Sequence, residues 1–378
     1  MTLPPLTLSG AQVLRPDGLS QEPLCLSEGV IADRQGRQID LSGHLILPGI
    51  VDPHGDGFER HLAPRRGAAT DLGQGLRAVE AELAANGITT AVLAQFWSWE
   101  GGMRSPDFAA ALCAALDTHA ARADLRLQLR MELGCYETFD AALALIERHR
   151  IGYLVFNDHL PHKALAAGKR VPRLEGQALK SGRSPAAHLA MLARLHEEIG
   201  LARARLPGLC AALLARGVIL GSHDDDTGDA RDFWRGLGAR IAEFPVTAEA
   251  AAAAGKAGDP IVMGGPNVMR GGSHSKGVSA RDVLDAGGSV ALASDYHYPS
   301  PLGAVRHLMS RGWSLPQAWP LVSSAPAQML GLTDRGQISP GKRADLVIVD
   351  PDLREVQATI AGGQITYLAG PVAARFLT

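Results

Sequence analysis

The chain has 378 residues, of which 46% are hydrophobic and 20% are charged. This balance is typical of a folded globular protein and excludes a disordered or fibrous one. Lys and Arg number 37 against 39 Asp and Glu, so no net positive field is available to hold a nucleic-acid backbone or an anionic membrane surface. The length predicts one large barrel-type domain with an accessory domain, or two medium domains.

The cysteines and the N-terminus indicate the compartment. Cys25, Cys113, Cys135 and Cys210 lie far apart without a C-x-x-C spacing, which favours neither a zinc ribbon nor a disulfide framework and fits a reducing cytoplasm. The opening MTLPPLTLSG has no basic region followed by an apolar core, and the chain has no run of about eighteen apolar residues. We therefore expect a soluble cytoplasmic protein without a membrane or nucleic-acid partner, and a homo-oligomer stays open.

Both ends of the chain predict short β-strands. Residues 1–47 contain LTLSGAQVL, PLCLSEGVIADRQG and HLILPG, which are separated by Gly, Pro and Asp turn signals. Residues 335–378 contain RADLVIVDPDLREVQATIAGGQITYLAG, which has the same character. Because the termini of a compact domain often lie close together, we predict one accessory β-sandwich built from residues 1–47 and 335–378.

The stretch between these ends, residues 48–334, alternates short apolar runs with helical segments rich in Ala, Leu and Arg. That alternation predicts βα units and an α/β fold. Eight candidate strands indicate a closed (β/α)8 TIM-type barrel: LILPGIVDPH, GITTAVLAQ, LRLQLRMEL, IGYLVFNDH, GVILGSHDD, ARIAEFPV, PIVMGGPN and SVALASDY. The interval between His159 and Gly217 has room for a further strand, and PIVMGGPN could instead be a loop.

Five apolar runs end in an imidazole or a carboxylate: PGIVDPHGD, LRMELG, YLVFNDH, VILGSHDDD and VALASDYH. Active sites of parallel barrels lie at the C-terminal ends of the strands. Ionisable groups that end a buried strand are costly unless they are paired or bind metal. Imidazoles combined with carboxylates suit zinc, and also iron or manganese. Taken singly, a His or Asp at a strand end is more often a cap, a loop hydrogen-bonder or a solvated turn residue than a metal ligand.

The sequence spacing of the candidate metal ligands helps to distinguish which of them could bind one ion. His54 and Asp56 are two residues apart at a strand end, so their side chains project to the same side and can bind one ion. Asp52 is expected to face elsewhere. Glu132 has an alternative role as an inward carboxylate that pairs with Arg130 or with a neighbouring helix.

Acidic residues adjoin two of the imidazoles. His159 and His223 each lie beside Asp side chains that could accept a hydrogen bond from the ring. Asp158 and residues 224–226 are therefore predicted to support the ligands or to cap helices rather than to bind metal.

The order of these segments resembles a known enzyme family. The opening PGIVDPHGD and the closing SSAPAQMLGLTDRGQISPGKRADLVIVD are similar to the two ends of amidohydrolase-superfamily enzymes. Between them stand HGDGFERHLAPR, LRMELG, NDHLP, GSHDDDT, EFPVT, GGPNVMRGGSHSKG and ASDYHYPSPL. In that order, these segments resemble the PhnM family of phosphonate metabolism, which hydrolyses α-D-ribose 1-methylphosphonate 5-triphosphate to the 5-phosphate and pyrophosphate.

The resemblance implies a centre with one or two divalent ions, zinc first and iron or manganese as alternatives. Its implied ligands are His54, Asp56, Glu132, His159, His223 and Asp295. Asp295 is also implied to handle protons. The glycine-rich loop GGPNVMRGGSHSKG is implied to bind phosphate oxygens, although its composition also suits a flexible polar loop. The candidate substrate-binding residues are Arg270, His274, Lys276, Arg60, His61 and Lys163.

The implied reaction is attack of a metal-activated water on the α-phosphorus of the triphosphate. Asp295 takes the proton from the water, and His274 is the best available acid. Two other functions stay open: hydrolysis of a C–N bond in a deacetylase or deaminase, and a catalytically silent barrel that binds a ligand. The segments HGDGFERH and NDHLPHK depart from the family pattern, which leaves open a paralogue for a different phosphorylated compound.

Overall fold

The computed structural model describes residues 4–63, 71–272 and 277–377. The strands are β1 (Leu6–Ser9), β2 (Gln12–Arg15), β3 (Gly18–Ser20), β4 (Leu24–Ser27), β5 (Val30–Ala32), β6 (Arg37–Asp40), β7 (Leu45–Pro48), β8 (Ile50–Gly55), β9 (Ile88–Trp97), β10 (Asp124–Glu132), β11 (Tyr153–Asn157), β12 (Ile219–His223), β13 (Ile241–Glu243), β14 (Ile261–Gly264), β15 (Val290–Ala293), β16 (Leu346–Val349), β17 (Val356–Ala361) and β18 (Gln364–Leu368).

The helices are α1 (Glu59–Leu62), α2 (Leu72–Ala85), α3 (Pro106–Thr118), α4 (Phe139–His149), α5 (His162–Ala166), α6 (Leu174–Lys180), α7 (Pro185–Glu197), α8 (Ile199–Leu214), α9 (Gly228–Gly236), α10 (Ala248–Lys256), α11 (Gly265–Arg270), α12 (Ala280–Asp285), α13 (Ser300–Ser310), α14 (Leu315–Ala318), α15 (Ser324–Met329) and α16 (Gly370–Leu377). Short 3-10 turns span Gly102–Arg104, Leu133–Thr138 and Trp319–Val322. Among the described residues, no helix combines the length and the apolarity that a membrane span requires.

The strands form a barrel sheet and two smaller sheets. The barrel sheet has eight strands in the order β15-β14-β13-β12-β11-β10-β9-β8, and the smaller sheets have the orders β5-β4-β1-β6 and β18-β17-β16-β7-β2-β3. Strands that neighbour each other along the barrel sheet run parallel, as in the pairs β11–β12 and β14–β15. The chain is therefore an α/β protein with a (β/α)8 TIM-type barrel and additional sheets from both chain ends.

All eight predicted barrel strands are present, as β8 to β15. The run LILPGIVDPH is divided between two sheets, because β7 pairs with β16 in the six-stranded sheet while β8 pairs with β9 in the barrel. Gly49 lies at this division, where a Cβ atom would lie only 2.3 Å from Oγ1 of Thr89. The interval after His159 contains helices α5 to α8 and no further strand, and PIVMGGPN forms β14 followed by α11.

The chain divides into two compact units. The first comprises Met1–Leu93, His119–Arg126 and Gly255–Thr378, and the second comprises Ala94–Thr118 and Leu127–Ala254.

The first unit contains the two smaller sheets and their hydrophobic core. Strand β7 pairs antiparallel with β16, so that Ile46 lies opposite Ile348 and the two ends of the chain share one sheet. The four residues of β16 are fully buried, as expected for a strand that is covered on both faces. The core between these elements includes Leu6, Leu8, Leu24, Ile39, Ile46, Leu346, Ile348, Ile360 and Val372.

Candidate functional site

In the first unit, the end of β8 lies beside the end of β15. The backbone N–H of Asp295 donates to the carbonyl of His54 at 3.0 Å, and the N–H of Asp56 donates to the carbonyl of Asp295 at 2.8 Å. These bonds bring the backbones of three predicted site residues together. Asp295 has φ of 56°, in the left-handed region that non-glycine residues rarely adopt. Such strain is often found at functional sites.

Asp52 lies on β8 and contacts Ser294, the residue that directly follows β15. Its buried carboxylate accepts hydrogen bonds from the Ser294 N–H at 2.8 Å and from the Ser294 hydroxyl at 2.6 Å. Burial raises the pKa of Asp52 above its usual value, although the bonds from Ser294 and the nearby His54 act in the opposite direction. Asp52 therefore holds the residue before Asp295 to the strand that carries His54.

The two glycines that flank Asp56 both lie against Tyr298, whose ring is fully buried. A Cβ atom on Gly55 would lie 3.0 Å from Cε1 of this ring, and a Cβ atom on Gly57 would lie 3.1 Å from Cε2. Larger residues at these positions would need the ring to move. Asp52 and Ser294 also lie within 3.0 Å of the added atom at Gly55, and Arg60 does so at Gly57, so little room is left for a side chain at either position.

In the second unit, Glu132 ends β10 and holds His159, which follows β11. The ring Nδ1 of His159 donates to Oε1 of Glu132 at 2.5 Å, and its backbone N–H donates to Oε2 at 3.1 Å. Burial acts to raise the pKa of Glu132, but the charge and hydrogen bonds of His159 outweigh it, so this pKa is lowered. Burial likewise acts to lower the pKa of His159, yet the Glu132 carboxylate raises it to about 10.

Asp224 links the two imidazoles of the second unit. Its Oδ2 lies 3.5 Å from Nε2 of His159 and 3.2 Å from Nδ1 of His223. Although burial opposes it, the charge of His223 and the bonds from both rings lower the pKa of Asp224. One ligand atom from each of the three residues lies within 4.8 Å of the others. Two imidazoles and a carboxylate fit the preferences of a divalent transition-metal ion, so Asp224, predicted only to support ligands, has the geometry of a ligand.

Glu243 is a further buried carboxylate that the sequence reasoning missed. It ends β13 and lies opposite His223 in the register of β12 and β13. Its Oε1 accepts hydrogen bonds at 2.6 Å from both Nε2 of Gln128 and the hydroxyl of Tyr153. The signal was available, because IAE ends an apolar run with a carboxylate just as RME does at Glu132.

Arg130 places a cation beside His223. Its Nη2 donates to Nε2 of His223 at 3.0 Å, and its guanidinium lies 4.0 Å from the ring centre of Phe96. The guanidinium of Arg104 lies 4.1 Å from the same centre, so both cations are within cation–π distance of Phe96. Burial and the charge of Arg130 lower the pKa of His223, despite the opposing effect of Asp224. A neutral His223 ring is the form that binds metal.

Two of the predicted substrate-binding residues have a partner within the first unit. Arg60 forms an ion pair with Glu82 and also donates to the carbonyl of Tyr296 at 2.9 Å. Nε2 of His61 lies 2.5 Å from Oε2 of Glu82, and Arg60 contacts Oε1 of the same carboxylate. Both side chains therefore contact helix α2, and substrate binding by them stays a prediction.

The remaining predicted substrate residues are placed differently. Arg270 ends α11, with its guanidinium 5.9 Å from the ring centre of Tyr296. Lys163 is exposed on α5. His274 and Lys276 lie outside the described residues.

His162 and Asp158 form a separate contact in the second unit. Nε2 of His162 lies 3.0 Å from Oδ1 of Asp158, and its Nδ1 lies 2.6 Å from Nδ1 of His196 on α7. Asp158 thus contacts His162, the first residue of α5, and its predicted role in supporting a metal ligand or capping a helix stays a prediction.

Comparison with known proteins gives consistent results. The Amidohydrolase family profile matches residues 249–372. The chain is 34% identical over 325 residues to the alpha-D-ribose 1-methylphosphonate 5-triphosphate diphosphatase of Escherichia coli (strain K12), covering 82% of this chain and 84% of that enzyme. Molinate hydrolase matches with a TM-score of 0.64 at 13% identity, covering 97% of this chain and 95% of its own. N-acetylglucosamine-6-phosphate deacetylase from Pasteurella multocida matches with a TM-score of 0.62 at 13% identity, covering 96% and 99%. The two solved structures show a common fold.

Proposed function

Because the chain belongs to the amidohydrolase superfamily, as a relative of the α-D-ribose 1-methylphosphonate 5-triphosphate diphosphatase, we propose that it is a metal-dependent diphosphatase of phosphonate metabolism. Its substrate is then a ribose 5-triphosphate with a phosphonate at carbon 1, and its products are the 5-phosphate and pyrophosphate. The identity of 34% over 82% of the chain carries this proposal.

The proposed metal ligands come from the ends of five barrel strands. They are His54, Asp56, Glu132, His159, His223 and Asp295. Support comes from the barrel fold, in which the C-terminal ends of all strands lie on one face, and from a superfamily that is typically metal-dependent. The imidazole and carboxylate donors suit zinc, with iron and manganese as alternatives. When bound, such an ion supplies a Lewis acid that lowers the pKa of water.

The protein's own residues then have separate tasks. Asp295 accepts the proton of the attacking water, since its backbone is fixed at the end of the barrel strands by bonds to His54 and Asp56 and a carboxylate can act as a general base. Glu132 holds the ring of His159 by its Nδ1, which fixes the direction of the other ring nitrogen. Arg270, His274 and Lys276 neutralise the charge of the phosphate oxygens, with His274 as the candidate acid.

Phosphorus NMR in ¹⁸O-labelled water tests the reaction. Attack at the α-phosphorus places the label in the sugar-linked monophosphate, whereas label in pyrophosphate would contradict that regiochemistry. Turnover of an N-acyl or cyclic amidine compound, with no turnover of the triphosphate, would replace the proposal by hydrolysis of a C–N bond.

Elemental analysis of protein purified without chelators tests the metal centre. We expect one or two divalent ions per chain, and His223→Ala should lower both occupancy and activity because it removes an imidazole donor. Asp295→Asn should keep much of the metal and lose turnover, since an amide is a poor proton acceptor. Metal near zero with no stimulation by Zn, Mn or Fe would indicate a catalytically silent barrel instead.

A further inference from the structure

The segment between β11 and α7 is strongly cationic. Residues 162–183, which we call the cationic insertion, contain six Lys or Arg side chains and a single acidic residue, Glu175. The whole chain, in contrast, has 37 basic and 39 acidic residues. The basic residues of the insertion are Lys163, Lys169, Arg170, Arg173, Lys180 and Arg183.

Ion pairs within the described part of the second unit neutralise little of this positive charge. Arg170 pairs with Glu175 at 3.0 Å, but the two side chains are 84% and 62% exposed, and such a pair contributes little to stability. Lys169, Arg173 and Lys180 are exposed, and in the described part of the chain no carboxylate pairs with any of them. The insertion therefore presents an excess of positive charge to solvent.

The insertion lies at the C-terminal ends of the barrel strands. It begins three residues after His159 and packs against the loop that follows β9, where Nη1 of Arg183 donates to the carbonyl of Trp99 at 2.8 Å. The approach is close, since a Cβ atom on Gly101 would lie 3.0 Å from Cβ of Ser181. Loops after β9 and β11 belong to the face on which parallel barrels carry their active sites.

We propose that the cationic insertion binds the terminal phosphates of a polyphosphate substrate, so that the leaving pyrophosphate is held by residues of α5, α6 and the turn between them. This inference rests on the proposed function and extends it to a segment of the second unit. A triphosphate carries several negative charges, and a protein with a net charge of −2 has no overall field to attract it. Local Lys and Arg side chains supply the charge-assisted hydrogen bonds that phosphate requires.

The test compares two triple variants of the metal-loaded protein. K169Q/R170Q/R173Q removes charge from the insertion, and R148Q/R203Q/R311Q removes the same charge from exposed arginines on α4, on α8 and after α13. Calorimetry with inorganic triphosphate should show binding weakened by about tenfold or more in the first variant and unchanged in the second. A third variant, R170K/R173K, keeps the charge and should therefore bind inorganic triphosphate more tightly than K169Q/R170Q/R173Q does.

The outcomes separate this inference from the proposed function. Unchanged triphosphate binding in a folded K169Q/R170Q/R173Q protein would overturn the role of the insertion, even if the protein proves to be a diphosphatase. Equal weakening by both triple variants would also overturn it, because the effect would then follow net charge alone. Weakened binding only in the first variant, in a protein that does not hydrolyse the triphosphate compound, would support the anion site and refute the proposed reaction.

Discussion

Replacing Arg231 tests how the second unit holds the strand that carries His223. Arg231 is fully buried on α9. Its Nη1 donates to the Ser222 hydroxyl at 2.6 Å and to Oδ2 of Asp225 at 3.0 Å. It also donates to the carbonyl of Ile241 at 3.3 Å. The guanidinium therefore links Ser222, which precedes His223 on β12, to Ile241 on β13.

Arg231→Met should destabilise the protein strongly, because it leaves the Asp225 carboxylate buried without its cation. Removing one partner of a buried ion pair typically costs about 3–5 kcal/mol. Burial already raises the pKa of Asp225, despite the opposing effects of Ser222 and Arg231. The loss in free energy of unfolding should therefore become smaller as the pH falls through the pKa of Asp225 in the folded variant, because the carboxyl group becomes neutral there.

Urea unfolding followed by circular dichroism, at neutral and acidic pH, measures this loss. The double variant R231M/D225N should recover part of it, since the neutral amide can still accept from Ser222. The matched control is Arg205→Met, which breaks an exposed pair with Asp140 at 2.9 Å and should cost at most about 1 kcal/mol. A loss in Arg231→Met no greater than that of the control, or no recovery in the double variant, would refute the reasoning.

Three further predictions concern packing and pH. Gly55→Ala should cost about 1–3 kcal/mol, seen as a lower melting temperature, because the new Cβ would lie 2.8 Å from Oδ2 of Asp52. Burial raises the pKa of Cys113 and Cys210 to about 12. Neither thiol should therefore react with iodoacetamide at pH 8 in the native protein, and stability should fall above about pH 9, where only unfolded thiols ionise. Burial lowers the pKa of the fully buried His188. Stability should thus decline as the pH falls below about 6.5, and His188→Leu should remove that part of the decline in urea midpoints measured between pH 5 and 7.

The barrel strands could be predicted from the sequence because each is a short apolar run with turn signals or helical segments around it. Apolar periodicity is a local property, and it survives in the fold as β8 to β15. The candidate ligands followed from the same property, since His54, Glu132 and His223 end or nearly end such runs. The division of LILPGIVDPH at Gly49 could not be read locally, because it depends on the pairing of β7 with β16.

The partners of the polar side chains were decided by the tertiary structure. Arg60 and His61 share Glu82, which lies on a different helix. Asp224 reaches both His159 and His223 because parallel pairing of β11 with β12 brings the two strand ends together. Sequence patterns indicate which side chains are costly to bury. Which opposite charge or donor lies within hydrogen-bond distance depends on strand register and helix packing between residues that are far apart along the chain.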